Sequence, residues 1–365
     1  MFDFFPSRSL TIYLAKTFVS RILAVLLMLV LVLQMLDLLS ESGNILAQPG
    51  NGEAELMRYV GLRLPQLIAR FLPYAILLAT IITLAGLSQN SEVVAMKAAG
   101  LSAHQILAPL LLSALAFSLF SFAFNERVVT RANGTLKAWV DADYGPIPDD
   151  PTLRSNLYLS DGQNIVRAAR VTGEGRNTVL HDVTYYLRDD NDMIVREMRG
   201  LQARYVGPGW MLDGARQFDV GPAAQTTLTE PVLIARDLNL AQLDFRRVDA
   251  DAETLPQLAA SIDELKAAGR RTSELEGKWW HKISGPLSAV LMPLLGAVAG
   301  FGLARSGQLL ARSIIGMTLG FAYFVVDNAA LAMGSFGGYP PLIAAWAPFV
   351  LFFLLGETVL IRTEE

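Results

Sequence analysis

The sequence predicts a membrane α-helical protein of six transmembrane helices with an inserted extracytoplasmic all-β domain of jelly-roll type. Of its 365 residues, 52% are hydrophobic and only 18% are charged, a low share of charge for a soluble chain of this length. Residues 126–278 nevertheless hold 19 of the 30 Lys and Arg and 24 of the 34 Asp and Glu. This distribution indicates a water-exposed insert between two membrane-embedded parts.

Composition also excludes several classes of function. The net charge of −4 and the lack of a basic run argue against a nucleic-acid-binding protein. With no cysteine, the chain has neither disulfides nor thiolate ligands, and its three histidines lie far apart, so no metal and no cofactor is expected. The sequence contains no nucleotide-binding loop, since Gly277-Lys278 is followed by Trp279. Any ATP must therefore be hydrolysed by another chain.

Six apolar stretches approach the roughly 20 residues that a transmembrane helix needs. Three of them precede the polar insert and three follow it, at 18–39, 71–88, 106–124, 282–305, 314–333 and 341–361. The predicted organisation is therefore transmembrane helices 1–3 in residues 1–125, a periplasmic β domain in 126–278, and helices 4–6 in 279–365. The first span is interpreted as uncleaved, because its apolar stretch is long and no small-residue cleavage site follows it.

Basic residues near the spans predict the orientation, since cytoplasmic flanks carry an excess of Lys and Arg. Three arginines fall in the first outer loop, at Arg58, Arg63 and Arg70. Seven basic residues fall on the opposite side: Arg8, Lys16, Arg21, Lys97, Arg305, Arg312 and Arg362. Both termini are then cytoplasmic, and the insert faces the periplasm.

The insert changes to a strand-like pattern. Asp161-Gly162 lies between the alternating runs 156–160 and 163–167, which is the signal of a two-residue hairpin. Further strand-like runs follow at 178–188, 193–199, 201–206, 210–212, 216–220 and 226–236. About eight short strands suit an antiparallel sandwich or a jelly roll. The insert ends in a helix, because Thr254 and Gln257 form a capping box ahead of apolar residues at helical spacing that stop at Gly269.

The short inner loop between the second and third spans carries a helical pattern. Ser91 is a candidate N-cap, Glu92 stands in the first turn and Gly100 is a helix stop. Val93 and Met96 share one apolar face, and Glu92 is available to a cationic partner. Two interpretations stay open at this point: a plain amphipathic connector, or a coupling helix that docks into a groove of a cytoplasmic ATPase.

Charges inside apolar spans are costly and are candidates for function. Asp327 lies well inside the fifth span, where a functional role and a structural pairing carry similar weight. Asp37 lies nearer the end of its span, where solvent contact explains it more easily. The pairs Gly296-x-x-x-Gly300 and Gly316-x-x-x-Gly320 mark faces at which helices pack closely.

These features together resemble the lipopolysaccharide-export permease family, the paired F and G subunits of the Lpt transporter, over nearly the whole chain. The most specific stretch is Ser91-Glu-Val-Val-Ala-Met-Lys-Ala-Ala-Gly-Leu-Ser102, which is similar to the family's coupling segment of S-E-(L/V)-V-x-M-x-A-x-G-x-S form. Leu72-Pro73, Lys282-Ile-Ser-Gly-Pro286, residues 321–327 and Gly338-Tyr-Pro-Pro341 extend the match. The Met96 position and its neighbours resemble the G subunit more than the F subunit.

The resemblance implies a permease subunit of an ABC exporter in the inner membrane. Such a permease extracts lipopolysaccharide and passes it to a periplasmic bridge toward the outer membrane, driven by a separate ATPase. The implied partners are a second, LptF-like permease, an LptB-like cytoplasmic ATPase dimer, an LptC-like membrane-anchored jelly-roll protein and lipopolysaccharide itself. The β domain would offer its interior or an edge strand to the next jelly roll.

The resemblance also implies three groups of site residues. The ATPase-coupling group is Ser91, Glu92, Val93, Met96, Lys97 and Gly100. The lateral gate and substrate cavity, formed by the first and fifth spans, comprises Gln34, Asp37, Phe321, Tyr323, Phe324 and Asp327. Candidate headgroup contacts are Arg58, Arg63, Arg70 and Lys282, for which ordinary interfacial anchoring is an equally good interpretation.

One departure from the family concerns Gln34, because some relatives carry a lysine suited to a lipid phosphate there. A neutral amide makes a weaker phosphate contact than an ammonium. Two rival classes remain open: a membrane enzyme that modifies lipid or glycan at the outer face with a carboxylate pair, and a membrane scaffold or sensor with a β domain.

Overall fold

The structure of the protein is a computed structural model that describes residues 6–146, 154–173, 175–189, 192–207, 209–222, 224–228, 230–238, 248–267, 269–297 and 309–364. The chain divides into two compact units. One is helical and comprises Met1–Asp143 and Val248–Glu365; the other is the β unit, Tyr144–Arg247. The predicted insert, 126–278, contains the β unit together with helices on either side of it.

In its described part, the helical unit is built from six long helices and three short ones. Its helices are α1 Arg8–Ala47, α2 Glu53–Gln89, α3 Glu92–Ala98, α4 Ala103–Phe124, α5 Thr130–Asp141, α6 Leu255–Ala267, α7 Ser273–Gly296, α8 Leu309–Ser335 and α9 Pro341–Glu364. A π-helical turn, Asn125–Val129, joins α4 to α5. Helix α2 begins at Glu53, so the predicted outer loop with its three arginines is mostly helix and only a short turn separates α1 from α2.

Five helical segments in the described residues are long and apolar enough to cross a membrane: Arg8–Ala47, Glu53–Gln89, Ala103–Asp141, Ser313–Ser335 and Pro341–Arg362. They contain five of the six predicted spans. The remaining one, 282–305, begins within α7, and residues 298–308 lie outside the described part of the chain. The count of six spans therefore stays a prediction.

The core of the helical unit is apolar and is shared by α1, α2, α3, α4, α7, α8 and α9. Its members include Phe18, Leu84, Ile106, Met292 and Tyr323. Helix α7 packs against α2, α4, α8 and α9, so it is central to the unit. Helix α1 packs mainly on α2, and much of its apolar surface stays exposed.

Small residues allow the predicted close approaches between helices. A Cβ at Gly320 would lie 2.2 Å from Leu77 of α2, and a Cβ at Gly296 would lie 2.8 Å from Thr80. A Cβ at Gly316 would meet the Leu295 carbonyl oxygen at 3.4 Å. The packing role predicted for these glycines is confirmed, while Gly300 lies outside the described residues.

The β unit is an antiparallel sheet of eight strands in its described part. The strands are β1 Arg154–Asp161, β2 Asn164–Thr172, β3 Val179–Arg188, β4 Ile194–Tyr205, β5 Trp210–Asp213, β6 Arg216–Asp219, β7 Ala224–Thr227 and β8 Val232–Ile234. Their order is β1-β2-β3-β4-β5-β8, with β6 also paired to β4 and β7 paired to β6. The antiparallel all-β prediction is confirmed at this level, and the jelly-roll topology stays a prediction.

Individual strands differ from the sequence pattern in two places. Gly200 does not interrupt its strand: 193–199 and 201–206 were predicted as two strands, but β4 is continuous and pairs with β3 along its length. The predicted run 226–236 belongs to two strands, β7 and β8. The first hairpin is confirmed, with its turn at Gly162, whose φ of +62° favours glycine, and with Asp161 paired to Asn164.

Buried apolar and polar groups together fix the β unit. Trp210 is fully buried, and its indole N–H donates to the Leu238 carbonyl oxygen at 3.3 Å. The carboxylate of Asp161 is also buried, and it accepts hydrogen bonds from the Tyr185 hydroxyl at 2.6 Å and from the Asp237 backbone N–H at 2.7 Å. Burial and these contacts with Asp161 raise the pKa of Tyr185 above its usual range. This tyrosine therefore stays neutral and donates.

Candidate functional site

The polar residues near the end of α1 form a cluster with α2. Asp37 accepts two hydrogen bonds from the Arg63 guanidinium, at 2.9 and 3.1 Å, and one from the Tyr59 hydroxyl at 2.6 Å. Arg63 also donates to Gln66. Asp37 is therefore not explained by solvent alone: its side chain is 21% exposed, and its carboxylate has a bidentate partner within the chain.

Gln34 lies one turn before Asp37 on the same helix and is buried, with 7% of its surface exposed. Its amide nitrogen and oxygen both lack a hydrogen-bond partner in the part of the chain that the structure describes. An unpaired buried amide is costly, which marks this position as incomplete in the single chain.

The four predicted headgroup cations occupy different environments. Arg63 is engaged by Asp37, and Arg58 lies 4.7 Å from the ring centre of Trp139 in a cation–π contact. Arg70 is exposed and has no ion pair with the residues that the structure describes. Lys282 departs most from the prediction.

The side chain of Lys282 is mostly buried, with 9% of it exposed. It donates to the Glu253 carbonyl oxygen at 2.7 Å and lies 3.7 Å from the Glu126 carboxylate. Glu126 in turn accepts a hydrogen bond from the Leu255 backbone N–H at the start of α6. Lys282 thus joins the π-helical turn, α6 and α7 inside this chain, and its expected role as a headgroup contact conflicts with that burial.

The predicted gate residues of α8 lie among aromatic side chains. Phe324 stacks on Tyr74 of α2 with ring centres 3.9 Å apart, and Phe321 contacts the same ring at 5.8 Å. Tyr323 is buried and packs edge-on against Phe352 of α9. These residues bind α8 to α2 and α9 by aromatic packing.

Asp327 is buried, with 5% of its surface exposed, and one of its carboxylate oxygens faces His281 of α7 at 3.8 Å. Its other oxygen has no hydrogen-bond partner among the described residues. His281 was assigned no role from the sequence. A Cβ at Gly285, one turn further along α7, would lie 3.3 Å from the His281 Nε2, so this glycine leaves room for the ring.

The structure does not bring all the predicted gate residues together within one chain. Gln34 and Asp37 lie beside α2, whereas Phe321, Tyr323, Phe324 and Asp327 lie against α2, α7 and α9 at another part of the unit. Helix α1 presents a long exposed apolar face. Its residues are each more than half exposed: Leu23, Leu27, Met28, Leu31, Val32, Met35, Leu36 and Leu39.

The segment predicted to contact an ATPase forms the short helix α3. Val93 and Met96 are buried in the core of this chain, so the apolar face expected to dock outward faces inward. The outward surface carries Val94, Ala95, Ala98, Ala99 and Gly100. Ser91 precedes α3 with φ of +60°, and its side chain makes no capping bond, so the predicted N-cap interaction is absent.

Glu92 at the start of α3 contacts the other end of α1. The Tyr13 hydroxyl donates to its two carboxylate oxygens at 3.0 and 3.3 Å. The partner was expected to be cationic; within this chain it is a phenol. The Lys97 side chain stands in the last turn of α3 and is partly exposed.

Comparisons with known proteins cover nearly the whole chain. A family described as "Lipopolysaccharide export system permease LptF/LptG" matches residues 12–362. A relative in Escherichia coli (strain K12), named "Lipopolysaccharide export system permease protein LptG", is 26% identical across 96% of this chain and 97% of its own length. A protein of the same name in Haemophilus influenzae is 25% identical across 97% of this chain and 98% of its own.

Proposed function

The chain belongs to the LptF/LptG family of lipopolysaccharide export system permeases, and on that premise we propose that it extracts lipopolysaccharide from the inner membrane and passes it to a periplasmic bridge. The observation that carries this proposal is the family match over residues 12–362, which includes the coupling segment and both groups of apolar helices. The prediction of a transport permease is confirmed by the family and by the names of the relatives.

The proposed assembly contains a second, LptF-like permease, an LptB-like ATPase dimer and an LptC-like jelly-roll protein. Both termini lie in the cytoplasm, and the β unit lies in the periplasm. The exposed apolar face of α1 supports the second permease or lipid as a neighbour, because soluble proteins rarely leave so large a contiguous apolar surface uncovered. The chain contributes the path for the lipid, and the separate ATPase supplies the energy.

Helix α3 is the proposed contact with the ATPase. Val93 and Met96 fix it in the apolar core, so a push on α3 is transmitted to the helices that pack there rather than absorbed by a loose loop. The surface offered to the ATPase is then Val94, Ala95 and Ala98, with Glu92 at its edge. This surface replaces the face that the sequence pattern favoured.

The gate and cavity are proposed to lie along α1 and α8. Because the residues of α1 and those of α8 are separated within this chain, each group would line the cavity together with the second permease. Acyl chains would lie against the apolar face of α1 by hydrophobic contact. Gln34, with its unpaired buried amide, would meet a polar group there.

The first test is purification of the tagged chain in mild detergent, followed by mass spectrometry of the proteins and lipids that accompany it. We expect a second permease, an ATPase and lipopolysaccharide. Recovery of the chain alone, with no ATPase after crosslinking through residues 91–102, would contradict the proposed assembly.

The second test is the variant Glu92→Lys, which reverses a charge at the edge of the proposed ATPase contact. We expect less co-purified ATPase and less lipopolysaccharide export. Tyr13→Phe is the matched control, because it removes the hydroxyl that Glu92 accepts from and leaves the carboxylate in place. If Glu92→Lys keeps both assembly and export, or if Tyr13→Phe reproduces its loss of ATPase, the contact assigned to Glu92 is wrong.

A further inference from the structure

A pocket of about 180 Å³ lies between α6 and α7 in the helical unit. Helix α6 contributes Ile262, Asp263 and Lys266, and helix α7 contributes Glu276, Trp279 and Trp280. Both sets follow the three- and four-residue spacing of one helix face, so the two helices turn these faces toward each other. None of these side chains belongs to the predicted gate or to the coupling helix.

The charged groups of the pocket differ in how many partners they have. Lys266 and Glu276 form an ion pair at 3.0 Å, and Glu276 also accepts a hydrogen bond from the Thr272 hydroxyl at 2.6 Å. Asp263 has no ion pair with any residue that the structure describes. Because Lys266 is 52% exposed at its side chain, its ammonium has donors left over beyond Glu276. The pocket thus presents an open carboxylate beside an ammonium.

Two tryptophans form the aromatic side of the pocket. The Trp279 indole N–H donates to the Leu255 carbonyl oxygen at 3.1 Å, which fixes the ring against α6. Trp280 packs edge-on to it, at 87° and 4.8 Å between ring centres. A tryptophan face attracts an ammonium group, most strongly where water is partly excluded. The aromatic side and Asp263 therefore favour the same ligand chemistry, an organic cation.

The sequence of α7 places the pocket at the level of lipid headgroups. Residues 274–282 of α7 carry Glu274, Glu276, Lys278 and Lys282, whereas 283–296 are free of charge. Trp279 and Trp280 stand at this transition, where tryptophan is enriched in membrane proteins. The pocket volume of about 180 Å³ is below the roughly 300 Å³ at which drug-sized sites begin, so its size suits a small polar headgroup.

We propose that the α6–α7 pocket binds the zwitterionic phosphoethanolamine headgroup of a membrane phospholipid. The ammonium lies against Asp263 and Trp280, and the phosphate lies toward Lys266. This site is separate from the path of the exported lipid. It rests on the proposed function in one respect, namely that α7 enters the membrane at residues 279–283.

The test uses the full chain, delipidated in detergent and titrated with phosphatidylethanolamine or phosphatidylglycerol under native mass spectrometry. We expect phosphatidylethanolamine to bind about tenfold more tightly, since one well-placed charge-assisted contact is worth about that ratio. Asp263→Asn should abolish this preference. Glu264→Gln is the matched control, because Glu264 is the adjacent exposed carboxylate of α6 and does not line the pocket.

Several outcomes would overturn the proposal. Equal binding of the two lipids would show that the pocket does not recognise the ammonium group. An equal loss of lipid preference in Asp263→Asn and Glu264→Gln would show that the preference arises from the general surface charge of α6 and not from the pocket. Displacement by inorganic phosphate alone would leave an anion site without specificity for a zwitterion. Thermal unfolding of Asp263→Asn must match the parent chain. ATPase co-purification is scored on the same samples, so failure of the assembly and failure of the headgroup site are distinguishable.

Discussion

The contact between Asp37 and Arg63 offers the sharpest test of how α1 is held. The change Asp37→Asn keeps the shape of the side chain and removes the charge that receives two guanidinium hydrogen bonds, at 2.9 and 3.1 Å, and the Tyr59 hydroxyl at 2.6 Å. The two charged side chains are 21% and 27% exposed, so the pair is intermediate between surface and buried pairs. Breaking a fully buried pair lowers the free energy of unfolding by roughly 3–5 kcal/mol. Because this pair is partly exposed to solvent, we expect Asp37→Asn to lower the free energy of unfolding by about 1.5–3 kcal/mol.

The assay is equilibrium unfolding of the full chain in mixed micelles, arranged as a double-mutant cycle of Asp37→Asn and Arg63→Gln. A direct contact predicts a coupling energy of about 1–2 kcal/mol, because the effects of substituting two residues in contact are not additive. Because the chain has no cysteine, a single spin-labelled cysteine at the exposed Leu39 reports the mobility of this end of α1 without background. Mobility should rise in Asp37→Asn.

Ser42→Ala is the control for this cycle. Ser42 lies on α1 shortly after Asp37, and its hydroxyl donates a hydrogen bond to the Leu39 carbonyl oxygen of the same helix. The loss of this hydroxyl should therefore leave the α1–α2 contact intact. A coupling energy below about 0.5 kcal/mol between Asp37 and Arg63, with an unchanged spin-label spectrum, would refute the role of this pair in fixing α1.

Two further predictions concern packing and pH. Gly320→Ala should destabilise the helical unit by about 1–3 kcal/mol in the same unfolding assay, because its Cβ would lie 2.2 Å from the buried Leu77. Gly316→Ala is the control and should destabilise the unit clearly less, because the atom nearest to its Cβ lies at 3.4 Å. In the β unit, hydrogen bonds from Arg196 and, to a lesser extent, from Gln217 lower the pKa of Asp219. The ionised carboxylate therefore stabilises the folded chain above the unfolded pKa of about 3.9, and this stabilisation is lost as pH falls through the folded pKa. Hydrogen exchange of β6 in the full chain should therefore differ between the parent and Asp219→Asn at pH 6, and the difference should disappear as pH falls through the lowered folded pKa of Asp219. A difference that is constant with pH would contradict this assignment.

Five of the six predicted spans lie in long apolar helices of the described residues, because apolar length is a property of each segment alone. The sequence predicted the hairpin at Gly162 for the same reason, since the turn chemistry is local. The break at Gly200 was wrong because glycine is tolerated inside a strand where another residue packs closely. A Cβ there would lie 2.5 Å from Leu212, so the missing side chain is what admits its neighbour.

The ion-pair partners of the charged residues could not be predicted from each sequence segment alone. For the pair of Asp37 and Arg63, however, the sequence positions contained a signal. Asp37 and Arg63 are equally distant from Gly50, at the turn between α1 and α2. In an antiparallel helix pair, positions equally far from the turn lie side by side. The burial of Lys282 offered no such signal, because Glu126 is distant in sequence and approaches α7 only through the tertiary fold.

The case of α3 shows why an amphipathic pattern does not identify a docking surface. The larger apolar residues, Val93 and Met96, serve the chain's own core, and the surface left to a partner consists of small side chains. Strong protein contacts depend on large anchors such as Trp, Tyr and Arg, which this surface lacks. In the proposed assembly, the ATPase would therefore supply the anchoring side chains, and α3 would offer a shallow surface with Glu92 at its edge. Such a contact would transmit force because α3 is fixed in the core of this chain, rather than through tight binding at the surface of α3.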